Sequence, residues 1–163
     1  MKILDSIPKS LVNFYEEKII FDGNIKIFCL ADGHYPENIA FDSRNERSAV
    51  LKIVNGVNHF IFTGDAPKNI ETDLVNKYGD FLVSNVLKAG HHGSKTSSHK
   101  NFVSIVKPEY AIISAGAGNQ FGHPDSVVVN IFESNNVELL RTDESGAIIL
   151  RSDGKNLEKI NWK

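Results

Sequence analysis

The sequence predicts an α/β domain built on a mixed β-sheet with flanking helices. Strand and helix signals alternate through the middle of the chain, and hairpin signals frame that region at both ends. Helical crossovers join parallel strands, whereas tight hairpins join antiparallel strands, so a chain with both connections is expected to form a mixed sheet.

The first half contains two predicted hairpins. Residues 18–22 and 25–31 read as strands joined at Asp22-Gly23, and residues 48–54 and 59–64 as strands joined around Asn55-Gly56. Asp-Gly and Asn-Gly supply the positive φ angles that two-residue hairpin turns require. The polar segment 32–47, which contains glycine and proline, is predicted to be a loop.

Helices and strands then alternate. Pro67 suits a first helical turn and Gly79 a helix end, which predicts a helix over 68–78. Ser98 is a plausible cap for a second helix that ends at Val106, and Pro124 precedes a third. The strands predicted around these helices are 81–89, 110–116, 137–142 and 146–151, followed by a turn at Asp153-Gly154 and a short strand near Ile160.

Composition limits the classes of function. The 163 residues with 41% hydrophobic content suit one globular domain over 1–163. A net charge of -2 argues against a strongly basic nucleic-acid-binding surface but leaves room for a local basic patch. Cys29 is the only cysteine, which excludes an intramolecular disulfide and a cysteine-based zinc cage. Without a signal peptide or apolar membrane span in this chain, we expect a cytoplasmic location.

Polar side chains follow three of the predicted strands. Asp65 comes after "HFIFTG", His91 and His92 after "FLVSNVLKAG", and Asn119 and His123 after "YAIISAG". Groups beyond the carboxyl ends of strands in an open α/β sheet converge on one crevice. Carboxylate and imidazole are also ligands that first-row metal ions accept, so the sequence nominates this crevice as a site.

Structural explanations compete with a functional one at each position. Asp65 before Ala-Pro is as well explained as a helix cap. His34, His59 and His99 are assigned to ordinary hydrogen bonding. The hydroxyl-rich segment 94–98 is compatible with a solvated loop, a helix cap, or a phosphate contact near a helix N-terminus.

Three segments together resemble a known family. "FIFTGDAPKNIETDL", "VLKAGHHGSKTSSHKNFVSIVKPEYAIISAGAGNQFGHP" and "LLRTDESGAIIL" are similar to the metallo-β-lactamase-like domain of ComEC-type competence proteins. "NERSAVLKI" resembles the same family's N-x-x-S strand, with Asn45 and Ser48 at the matching places. The resemblance covers roughly residues 45–151.

The resemblance implies an αββα sandwich that holds one or two zinc or manganese ions and cleaves phosphodiesters, including one strand of DNA during uptake. Carried over by position, it places Asp65 and His91 as metal ligands, with His92 as the alternative histidine ligand. The implied catalytic residues are Asp65, His92, Ser94 and His123. Ser48 and Asn119 are implied substrate-binding residues.

The superfamily's upstream H-x-H-x-D-H motif is absent, so the chain resembles only the C-terminal half of that sandwich. We therefore expect weak metal binding by this chain alone, and an N-terminal half-domain, a second copy or a nucleic acid as partner. Three functions remain open: a metal-dependent phosphodiesterase, a catalytically inactive binding or regulatory module, and a metal-free enzyme using Ser94 with His92 as base.

Overall fold

The computed structural model describes residues 12–14, 17–23, 25–32 and 44–161. His34 and most of the predicted polar loop lie outside these residues.

One sheet of eight strands organises the described part of the chain. The strands follow one another in sequence order, from β1 at one edge to β8 at the other. They are β1 (Val12–Phe14), β2 (Glu17–Asp22), β3 (Ile25–Ala31), β4 (Val50–Asn55), β5 (Asn58–Phe62), β6 (Val86–Lys88), β7 (Tyr110–Ile113) and β8 (Glu138–Arg141). Pairing is antiparallel from β1 to β5 and parallel from β5 to β8. The predicted mixed sheet is confirmed.

The described part of the chain contains four α-helices. They are α1 (Lys68–Tyr78), α2 (Lys100–Val106), α3 (Ser126–Ser134) and α4 (Thr142–Ser145). α1 contacts α2 and α2 contacts α3, so the three longer helices pack side by side. The largest apolar side chains of the core, with at most 1% of their surface exposed, come from both strands and helices: Ile61, Leu82, Leu87, Phe102, Ile113 and Phe132.

Both predicted hairpins are present, with Asp22 opposite Ile25 and Asn55 opposite Asn58. The turn of the second hairpin also contacts the last two strands of the described chain. Strands β9 (Ile149–Ser152) and β10 (Leu157–Ile160) form a separate two-stranded sheet, and the Val57 N–H donates to the Gly154 carbonyl at 2.9 Å. A Cβ on Gly56 would lie 2.1 Å from that carbonyl oxygen, so this approach requires glycine.

The predicted strand over 81–89 is wrong over most of its length. Only Val86–Lys88 is a strand, and Gly79–Leu82 forms a short 3-10 helix. The reason lies in β4, because the buried Lys52 ammonium donates to the Phe81 and Val83 carbonyls at 2.5 and 2.7 Å. Those carbonyls are therefore satisfied by a side chain rather than by a neighbouring strand.

The predicted cap of α2 is also wrong. His99 occupies the cap position, and the Ser98 hydroxyl is buried without a hydrogen-bond partner. The Glu71 carboxylate of α1 instead accepts the Ser98 and His99 N–H groups at 2.7 and 2.8 Å. The free N–H groups before α2 are therefore bound by a carboxylate from α1 and not by a local serine hydroxyl.

Within the described part of the chain, no helix combines the length and the apolar character needed to cross a membrane. The cytoplasmic location and the single domain over 1–163 stay predictions.

Candidate functional site

The loops that carry the predicted site residues meet at one edge of the sheet. Because β5, β6 and β7 are parallel, the segments that follow them emerge on the same side. β4 runs antiparallel to β5, so the residues that precede it, Asn45 and Ser48, reach this edge as well. The structure therefore brings together the segments that the sequence nominated.

The Gly-His-His-Gly segment turns sharply after β6. His91 and His92 both have left-handed backbone conformations, with φ of 46° and 55°. The His91 N–H donates to the Gly64 carbonyl at 3.1 Å, which ties this turn to the loop after β5. In an extended strand, adjacent side chains would point to opposite faces. The tight turn replaces that arrangement and holds the two imidazole centroids 6.4 Å apart.

His91 lies at the centre of the cluster. Its Nδ1 is 3.3 Å from the Asn45 amide nitrogen and 3.1 Å from the Thr96 hydroxyl. Its Nε2 lies 3.5 Å from the same amide nitrogen, so Asn45 faces both ring nitrogens of His91. The His123 ring lies 5.8 Å from the His91 ring, centroid to centroid. His91 thus connects Asn45, Thr96 and His123.

His92 is more exposed and makes a different set of contacts. Its Nδ1 lies 2.7 Å from the Ser114 carbonyl oxygen, which only accepts, so Nδ1 carries a hydrogen. Its Nε2 is 4.0 Å from Asp65 Oδ1. His92 is therefore the histidine whose side chain lies beside Asp65, although the resemblance paired Asp65 with His91. Their roles stay predictions.

Asp65 is positioned by its backbone and does not cap α1. The Asp65 N–H donates to the Ser48 hydroxyl at 3.1 Å, and the cap position of α1 is Pro67. The alternative reading of Asp65 as a helix cap is therefore wrong. The Ser48 hydroxyl contacts the backbone of Asp65, and the Ser94 hydroxyl contacts the Thr96 hydroxyl at 3.0 Å.

Asn119 organises the loop after β7. Its amide nitrogen donates to the Gly116 and His123 carbonyls at 2.9 and 2.5 Å, and its amide oxygen accepts the Phe121 and His123 N–H groups at 3.2 and 3.0 Å. The same loop stacks Phe121 on His123, with centroids 6.1 Å apart and an angle of 21° between the rings. Asn119 therefore fixes the position of both rings.

Sequence reasoning missed Lys88 and Phe121. Burial lowers the pKa of the Lys88 ammonium at the end of β6, and the negative charge of Asp65 opposes this shift. The sequence did contain a signal for Lys88, because this lysine lies inside the apolar run "NVLKAG". A cation at the end of a buried strand usually has a partner. Phe121 carried no periodic signal, since it lies in a glycine-rich loop.

A cleft of about 540 Å³ lies beside the start of α1. Its lining residues are Pro67, Lys68, Asn69, Lys95, Thr96 and Val127. Thr96 belongs to both places, because its hydroxyl contacts His91. The histidine cluster and the lysine-lined cleft form one continuous surface.

A metal centre finds little support in these residues. Across residues 44–161 and the shorter described segments, no group of three or more histidine, cysteine, aspartate or glutamate side chains is arranged to hold a metal ion. A structural zinc site uses four protein ligands and a catalytic one three. The donor set therefore does not fit such a centre, and weak zinc or manganese binding by Asp65 and His91 stays an untested prediction.

Known proteins are similar to most of this chain, although no family model matches it. It is 46% identical over 104 residues to competence protein ComA of Neisseria gonorrhoeae, which covers 64% of this chain and 15% of that protein. It is 38% identical over 109 residues to ComE operon protein 3 of Bacillus subtilis (67% and 14%) and 32% identical over 136 residues to recombination protein 2 of Haemophilus influenzae (77% and 17%). The chain thus spans 14% to 17% of the length of these relatives.

These findings correct the function that the resemblance implied. One of these relatives is named a competence protein and another a recombination protein, and none of the three names describes a hydrolase or a metallo-β-lactamase. The assignment to the metallo-β-lactamase superfamily and the prediction of a metal-dependent phosphodiesterase are therefore wrong. The competence part of the resemblance is supported, and the alternative of a binding module fits these findings better.

Proposed function

We propose that this chain is a DNA-binding module of a competence-type protein. The observation that carries the proposal is the convergence of His91, His92 and His123 with amide, hydroxyl and lysine groups at one edge of the sheet. Competence is the ability of a cell to take up DNA, and one similar protein carries that word in its name.

The surface has the chemistry that DNA backbones require. Most hydrogen bonds from proteins to DNA go to phosphate and sugar oxygens, from lysine, hydroxyl, amide and backbone N–H donors. His91, Thr96 and Lys95 supply such donors within the continuous surface. Such contacts do not select a base sequence, so we expect binding that does not depend on the DNA sequence.

The distribution of charge also supports the proposal. The whole chain carries a net charge of -2, yet Lys68 and Lys95 both line the cleft and Lys88 lies at the end of the adjacent strand. The basic character is therefore local. We expect moderate affinity that falls with salt, with a slope of about -2 in log K against log salt if three phosphates are contacted on a single strand.

The test is fluorescence anisotropy of a labelled oligodeoxynucleotide titrated with the whole chain at several salt concentrations. His91→Ala is expected to weaken binding about tenfold, because one hydrogen bond to a charged group is lost. His59→Ala is the matched control, since His59 is also half-buried but lies at the start of β5, on the opposite edge.

Equal affinities for the wild type and His91→Ala, or an equal loss in His59→Ala, would contradict the site. Absence of saturable DNA binding by the wild-type chain would overturn the proposed function itself. The remaining predicted partners, an N-terminal half-domain or a second copy, stay untested.

A further inference from the structure

We propose that Phe121 is a stacking platform for an unpaired DNA base, an inference that rests on the proposed DNA binding. Among the described residues with exposed large apolar side chains, Phe121 is the most exposed, at 72%. Phe121 lies in the loop that carries His123, and its ring stacks on that member of the histidine cluster.

The exposure of Phe121 is built into its loop. Its N–H is bound by the Asn119 amide oxygen, and one face of its ring stacks on His123. The chain reverses on both sides of Phe121 through Gly118 and Gly122, which have positive φ of 64° and 66°. The backbone of Phe121 is therefore held in place and its ring partly contacts His123 while most of its surface is presented to solvent, which is the arrangement of a preorganised aromatic contact.

The neighbours of Phe121 indicate which ligand it takes. His123 lies 5.8 Å from His91, His91 contacts Thr96, and Thr96 lines the cleft with Lys68 and Lys95. An aromatic ring at one end of a surface and two cations at the other match the alternation of base and phosphate in a nucleotide strand. Proteins that bind single strands combine a basic groove with aromatic side chains on which bases stack.

An apolar protein segment fits this loop less well. The residues beside Phe121 are Gln120 and Gly122, and the loop before them contains Gly116 and Gly118. No ring of apolar side chains surrounds the phenylalanine within this loop. Hot spots of protein interfaces lie instead within a surround of contacts that excludes water.

Stacking on Phe121 requires a base that is free to leave its neighbours. A base in a duplex is paired and stacked on both faces, so placing it on Phe121 carries the additional free energy of unstacking and unpairing. The site should therefore bind single-stranded DNA more tightly than a duplex of the same sequence, and Phe121 should be the source of that preference.

The experiment measures the affinity of the whole chain for a labelled 12-mer as a single strand and as a duplex. Phe121→Ala is expected to weaken single-strand binding about 5- to 100-fold and to leave duplex binding unchanged. Phe121→Trp should retain single-strand affinity, and its added indole fluorescence should be quenched by the single strand. Val57→Ala is the control, because Val57 is 68% exposed in the turn between β4 and β5.

The outcomes separate the two levels of the proposal. DNA binding by the wild type that Phe121→Ala does not change, or that Phe121→Ala weakens equally for both forms, overturns the stacking role and leaves the proposed function standing. If the wild type binds neither form, the proposed function and the stacking role both fail. Phe121 is exposed, so thermal unfolding should confirm that all variants keep the wild-type fold.

Discussion

Glu71 makes the stability of this protein depend on pH. Its side chain is buried, and its carboxylate binds the backbone N–H groups of Ser98 and His99. Burial raises the pKa of the Glu71 carboxyl from 4.5 to about 7, against the opposing effects of these two hydrogen bonds and of Lys68. The groups that favour the charged form of the Glu71 carboxyl are the Lys68 ammonium and the backbone N–H groups of Ser98 and His99.

The sign follows from proton binding. Between pH 4.5 and about 7 the folded protein holds a proton on Glu71 that the unfolded chain releases, so the free energy of unfolding falls as the pH rises. The contribution is fully present below pH 4.5 and is lost as the pH passes about 7. A shift of this size corresponds to about 2 to 3 kcal/mol between pH 5 and pH 8.

The assay is urea unfolding at several pH values for the wild type and Glu71→Gln, with Glu133→Gln on the exposed face of α3 as control. Glu71→Gln removes the titration and places an amide donor against a backbone donor, which costs about 1 to 3 kcal/mol relative to the protonated wild type near pH 5. Because only the wild type loses stability as the pH rises, the free energy of unfolding of the wild type minus that of Glu71→Gln should fall by about 2 to 3 kcal/mol from pH 5 to pH 8. A difference that stays constant would refute the raised pKa.

Three further changes test particular contacts. Lys52→Met should lower the free energy of unfolding by about 1 to 3 kcal/mol in urea titrations, because three acceptors lose their donor. Burial also lowers the Lys52 pKa to about 8, so wild-type stability should rise between pH 8 and 10.5, where only the unfolded chain holds the proton. Gly93→Ala should lower the melting temperature more than Gly118→Ala, because a Cβ at Gly93 would lie 2.7 Å from Pro124 whereas Gly118 has open space. Asn119→Ala should leave overall stability within about 2 kcal/mol of wild type but weaken single-strand binding, measured by anisotropy, and binding retained in full would show that the loop is held by other contacts.

Local signals in the sequence determined much of the fold. Asp22-Gly23 and Asn55-Gly56 identified both hairpins because their turn requirements involve only neighbouring residues. Pro67 and Gly79 likewise bracket α1, whose bounds of Lys68–Tyr78 agree with the prediction.

The errors arose where distant side chains decided the local structure. The strand expected over 81–89 was shortened by contacts from Lys52, which lies 29 residues before Phe81. The Ser98 cap was displaced by Glu71, 27 residues away. No pattern within a window of 10 or 20 residues contains that information, because it depends on which elements pack together.

The site was predictable in position and not in detail. The order of strands placed Asp65, His91 and His123 on one edge, since the ends of parallel strands coincide. The exposure of Phe121 depends on the hydrogen bonds of Asn119, which the sequence does not display. The implied hydrolase was drawn from the resemblance, and the described residues assemble no group of three metal ligands that would have supported it.

The left-handed turn at His91 and His92 places stability and binding in opposition. A residue with a Cβ in this conformation is disfavoured by about 1 to 2 kcal/mol, whereas glycine adopts it freely. Glycine at either position should therefore relieve this backbone strain, but it would also remove an imidazole and its hydrogen bonds from the surface. Selection for ligand capture would retain histidine here in spite of the strained backbone.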